Sequence, residues 1–167
     1  GGTNLYVGAG GKRYAFREIV SLIKDVKQTP IVDGYGLKEY LEPRIIHGLQ
    51  RDGVVDFRGA KCLMVMGVDR FGMTKALHEE GAKLLMADFY YALGVPIKFH
   101  SFAVHQAMGK LLLPALVQLP FEWLYPTGSN EDVIVPKYGP LYAWADILAG
   151  DFLYIKRHLP PPEGRPL

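Results

Sequence analysis

Lys61-Cys62-Leu63-Met64-Val65-Met66-Gly67 runs into Val68-Asp69-Arg70-Phe71-Gly72, and Lys83-Leu84-Leu85-Met86-Ala87 follows ten residues later. The first and last of these segments are continuous apolar runs, as expected of strands buried on both faces of a parallel sheet. Between them, Met73–Glu80 reads as a helix, and Gly81 sits where a helix C-terminus prefers glycine. Strand, helix and strand in so short a space make a βαβ unit, with parallel strands and a right-handed crossover.

Downstream of this unit, Ser101–Leu119 is strongly apolar, with Ser101 as N-cap and a kink expected at Pro114. Its longest apolar stretch, Leu111–Val117, is too short to span a bilayer. Pro120–Asn130 reads as a loop, with Trp123 assigned to the core. Ala145–Gly150 reads as a strand, Phe152–His158 as a short helix, and residues 160–167 as a flexible proline-rich tail.

Upstream, Pro30-Ile31-Val32 reads as a short strand, and Leu37–Leu49 as a helix that Pro43 bends or restarts. The segment Leu5–Phe16 supports two readings. It is either a β-hairpin around a glycine turn, or a strand and phosphate-binding turn leading into a helix over Arg17–Lys27. Arg13 favours the hairpin, because a nucleotide fold needs a small residue at that position for close helix packing. Together these elements predict one Rossmann-like three-layer α/β domain over residues 1–159. Its mainly parallel sheet has about five strands, helices on both faces and an N-terminal β-hairpin.

At 49% hydrophobic and 22% charged residues, the chain is rich enough in apolar side chains to bury a core. A net charge of +2 gives no electrostatic case for nucleic acid. The single cysteine, Cys62, excludes an internal disulfide and fits a reducing, cytoplasmic setting. The start at Gly1-Gly2-Thr3 and the ending after Pro160-Pro161-Pro162 suggest a piece of a longer protein. The expected partners are a small-molecule substrate and further copies of the chain, without nucleic acid or membrane.

Asp33, Asp69, Asp88 and Asp151 each follow a predicted strand. Carboxylates there either cap the next helix or face the crevice where parallel α/β sheets collect ligands. Asp88 and Asp151 also share a local pattern, a small residue followed by Asp-Phe after an apolar strand. No nucleophile elbow is present, and the histidines show no metal-binding spacing, so no metal site is assigned. The turn Gly67–Gly72 lies where a helix N-terminus would meet a pyrophosphate. Asp88, about 20 residues on, would hydrogen-bond a ribose.

Four segments resemble the bacterial family of quinate 5-dehydrogenases. They are Thr29–Lys38, Val68–Met73, Trp123–Gly128 and Ala149–Ile155, within a similarity reaching from about Gly1 to Pro160. Asp33-Gly34-Tyr35-Gly36 is similar to the second half of the Asn-Thr-Asp-Gly-x-Gly segment of shikimate and quinate dehydrogenases. The resemblance implies an oxidoreductase that uses NAD or NADP on a cyclic hydroxy acid. In that scheme Asp33 and Lys38 handle the reacting hydroxyl, and Gly67, Asp69, Arg70, Gly72 and Asp88 hold the cofactor. Tyr125, Thr127 and Asp151 contact substrate. The alternative is a non-redox domain that binds a polyol or phosphorylated ligand, with or without a divalent metal, through aspartates at the strand ends.

Overall fold

The computed structural model describes residues 5–9, 11–124 and 133–161. At its centre is a three-stranded parallel sheet in the order β4-β3-β5, formed by β3 (Lys61–Val65), β4 (Lys83–Met86) and β5 (Ile147–Gly150). Cys62 pairs with Leu84 on one side and Ile147 on the other. The βαβ unit is present as expected, with α3 (Phe71–Glu79) between β3 and β4, and Gly81 just past the helix at φ +82°.

Because β-strand side chains alternate, β3 and β4 divide their residues between two cores. Cys62, Met64, Leu84 and Met86 pack with Ile46, Ala76 and Leu77, from α2 (Glu42–Arg51) and α3. Leu63, Val65 and Leu85 pack instead with Tyr91 of α4 (Asp88–Leu93), Leu141 and Tyr142 of α7 (Gly139–Trp144) and Tyr154 of α8 (Phe152–His158). Helices therefore cover both faces. The free edge of β4 is bridged by Phe99, whose backbone exchanges two hydrogen bonds with Met86. Burial pushes the Cys62 thiol up to about 12. A thiol reagent at pH 8 is expected to leave the native protein unlabelled and to react only on unfolding; prompt labelling would contradict this packing.

The five-strand sheet is not what forms. Ile31 and Val32 join no strand, and Val32 is 92% exposed. Two residues between Pro30, which has no N–H to donate, and the Asp33-Gly34 bend cannot hold a place in a buried sheet. The other two strands, β1 (Tyr6–Ala9) and β2 (Lys12–Ala15), pair antiparallel with each other, giving a separate two-stranded hairpin that turns at Gly11, φ +80°. Of the two readings of Leu5–Phe16, the hairpin is the one adopted.

The hairpin and α1 (Arg17–Ile23) build a third core. Val7, Ala9, Phe16 and Ile19 pack against Leu113 of α5 (Phe102–Leu116) and against Val117. Gly109 of α5 allows this approach, since a Cβ there would lie 3.3 Å from the Ala9 methyl. Ser101 caps α5, accepting from the Val104 N–H, and Pro114 lies inside the helix. The Leu37–Leu49 region begins as a π-helical turn, Leu37–Leu41, and restarts as α2 at Glu42 with Pro43 in its first turn. Trp123, in α6 (Phe121–Leu124), is 65% exposed, so it is not core. Among the described residues, no helix is long and apolar enough to cross a membrane.

Candidate functional site

β3 ends at Val65, and the chain turns through Met66 in a left-handed conformation, φ 59°. Such a backbone costs a non-glycine residue on the order of 1 kcal/mol and needs its surroundings to hold it. It leads into the 67–70 turn, where the Val68 N–H donates to Asp88 Oδ1 at 2.7 Å. The other Asp88 oxygen meets His105 Nε2 at 2.9 Å, bringing together the end of β4 and helix α5. The His105 side chain is only 2% exposed, and its Nδ1 has no hydrogen-bond partner among the described residues.

Asp88 and His105 line a cavity of about 250 Å³ at the seam between the hairpin core and the sheet. Asp69 is the third ionisable residue in the lining, and the rest of the wall is apolar. Val7, Phe16, Met66 and Val68 contribute to it, with Phe89 of α4 and Met108 of α5 among the other apolar lining residues.

A second polar group lies beside it. Lys38 Nζ bonds Asp69 Oδ2 at 2.5 Å, Arg70 pairs with Glu42, and Arg70 also reaches Asp151 Oδ2 at 3.4 Å. The five side chains are between 2% and 21% exposed. Two cations thus meet three carboxylates and tie the π-turn and α2 to the ends of β3 and β5. Burial pushes the Glu42 carboxyl above its ordinary value, against the opposing pull of the Arg70 guanidinium. Asp151 also caps α8, accepting from the Leu153 and Tyr154 N–H groups.

The expected residues therefore separate. Asp69 and Asp151 converge on one ionic network. Asp88 joins His105 in the cavity wall. Asp33 lies in a different, open cleft lined by Tyr6, Arg13, Tyr35 and Glu39, and its Oδ2 has no partner among the described residues. Lys38 is committed to Asp69, so the Asp33–Lys38 pair does not form. Tyr125 and Thr127 lie outside the described residues.

The residues assigned to a dinucleotide do not fit one. A Cβ at Gly72 would approach the Lys38 carbonyl oxygen to 2.8 Å, so that backbone is packed beneath the π-turn. Gly67 is closed in by His105 and Thr74, whose atoms would lie 3.1 and 3.2 Å from a Cβ there. The Thr74 hydroxyl donates to the Gly67 carbonyl at 3.1 Å. Both Asp88 oxygens are engaged, and Arg70 and Lys38 are already neutralised by carboxylates. Among the described residues, no group of three or more His, Cys, Asp or Glu side chains is placed to hold a metal ion.

Sequence reasoning missed His105 as a site residue. Its signal was a lone imidazole within an apolar helix, which reads equally well as a satisfied core histidine. Glu42 was missed too, because its partner Arg70 is 28 residues away. No curated protein and no solved structure matches the chain. A family model does match, over residues 36–163, which is most of the chain and includes the whole parallel sheet, and the chain belongs to the family described as Domain of unknown function (DUF8754).

Proposed function

We infer that this domain binds a small molecule with an apolar body and few polar groups, at the carboxyl ends of its parallel strands. The observation that carries this reading is the Asp88–His105 pair set in the wall of an otherwise apolar cavity. Ligand sites are typically apolar hollows with a few placed polar groups, and parallel α/β sheets favour the strand ends. Aspartates at the strand ends take part, as in the non-redox reading of the sequence. The apolar wall, however, favours a neutral ligand over a phosphorylated one, whose charge would be costly to bury.

A quinate-type dehydrogenase would instead need NAD or NADP along residues 67–72, and the two readings part in one experiment. Thermal unfolding is followed with NAD, NADP, quinate, shikimate, Mg²⁺ and neutral compounds the size of cyclohexanol or toluene. A ligand at one hundred times its dissociation constant stabilises by about 2.7 kcal/mol, enough to raise Tm by several degrees. The expected result is a rise with the small apolar compounds and none with the dinucleotides. A rise with NAD or NADP alone would overturn the inference in favour of the redox reading.

A further inference from the structure

We propose that the open cleft between the β-hairpin and residues 31–36 binds a small zwitterion, an apolar amino acid whose carboxylate meets Arg13 and whose ammonium meets Asp33. This site is separate from the apolar cavity and does not rest on the reading above.

Strand alternation builds one wall of the cleft. Val7 and Ala9 point into the third core, so Tyr6 and Gly8 face the other way, and the hairpin register sets Arg13 opposite Gly8. Tyr35 packs against Gly8, where a Cβ would collide with its hydroxyl. The Tyr6 and Tyr35 rings meet edge to face with centroids 6.4 Å apart. The guanidinium carbon of Arg13 lies 5.4 Å from the first centroid and 5.6 Å from the second. Such contacts hold the cation through the ring quadrupoles and leave its N–H donors unpaired. Among the described residues, Arg13 forms no ion pair.

The opposite charge comes from the facing segment. Asp33 and Glu39 line the same cleft, whose volume is about 760 Å³. Asp33 is half-buried and forms no hydrogen bond or ion pair among the described residues. Arg13 and Asp33 thus border one open space without pairing with each other. A guanidinium only donates and an ionised carboxylate only accepts, so a ligand that satisfies both carries a carboxylate for the fork of Arg13 and an ammonium for Asp33. A phosphate would bring its charge against two carboxylates, and a plain cation would meet Arg13. Leu5, Ile31 and Val32 add apolar lining, and Ile31 and Val32 are 45% and 92% exposed. An apolar side chain on the ligand would cover surface that the chain itself leaves bare.

The test is titration of ¹⁵N-labelled protein with leucine, 4-methylpentanoate and 3-methylbutylamine. The three share an apolar body and carry both charges, the carboxylate alone and the ammonium alone. Leucine is expected to shift the Arg13, Asp33 and Tyr35 amides and to bind roughly fivefold or more tightly than either single-charge compound, since a charge pair open to water contributes up to about that factor. Leucine binding no more tightly than one of the others would overturn the two-charge rule. Failure of all three to shift those amides would overturn the site itself.

Two substitutions give a readout that a purely structural role would not produce. Arg13→Gln should lower leucine to the affinity of 3-methylbutylamine and leave the amine unchanged. Asp33→Asn should lower leucine to the affinity of 4-methylpentanoate and leave that anion unchanged. A uniform loss for all three compounds in a folded variant would contradict the proposal, and the comparison in the unmodified protein decides the matter even if a variant does not fold.

Discussion

Gly150→Ala is expected to detach β5 from the sheet. Gly150 has φ +124°, a region open to glycine and strained for every other residue. It also stands against β3 with no space for a side chain, since a Cβ would fall 1.9 Å from the Val65 carbonyl oxygen. Backbone has no rotamer to move aside. Backbone strain of about 1–3 kcal/mol and overpacking of about 1–3 kcal/mol together amount to roughly 2–6 kcal/mol. Domains of this size are stable by about 5–15 kcal/mol in total, so the loss is severe. Because the Asp151 N–H donates to that same Val65 oxygen at 3.0 Å, the contact between Asp151 and Arg70 should fail as well. Urea unfolding measures the loss; a cost below about 1 kcal/mol would contradict this register.

Arg70→Met is the second large effect, and its origin is electrostatic. The guanidinium is 21% exposed, and the Glu42 and Asp151 carboxylates it serves are 13% and 14% exposed. Removing it strands both, and breaking a buried pair from one side typically costs about 3–5 kcal/mol. Much of that cost belongs to the unpaired Glu42, so Arg70→Met with Glu42→Gln should recover a substantial part. Lowering the pH should also relieve the single variant, because protonation removes the stranded charge, and Glu42 is already pushed towards the protonated form by burial. Urea unfolding of the single and double variants is the measurement. Strictly additive losses would mean that Arg70 and Glu42 do not act as a pair.

Elements with local physical signals were legible in the sequence. The apolar runs 61–67 and 83–87 form β3 and β4, and Ser101 caps its helix. Gly81 follows the C-terminus of α3, and Pro43 lies in the first turn of α2. The hairpin was legible from its glycines and from Arg13. Sheet size was not, because Ile31-Val32 has the composition of a strand, and only pairing partners make one. Trp123 misled for a similar reason: a large aromatic suggests core, yet α6 leaves it on the surface.

The site was legible only in part. That carboxylates gather at strand ends followed from the pattern, and two of the four expected aspartates meet there. Which partner each would take depends on distant segments. Lys38 finds Asp69 across 31 residues, and Asp151 meets Arg70 across 81. The shared Asp-Phe pattern is instructive. Asp151 became a helix cap with an ion pair, while Asp88 turned to a histidine on a helix that the pattern does not contain.

Titration of ¹⁵N-labelled protein with phenol, followed by amide chemical shifts, tests most directly whether the cavity is a ligand site. The expected result is a saturable change at Val68, Asp88, His105 and Gly109, which surround the cavity, while Asp33 and Tyr35 in the open cleft stay unmoved. No change at the cavity amides, or changes confined to the open cleft, would contradict it.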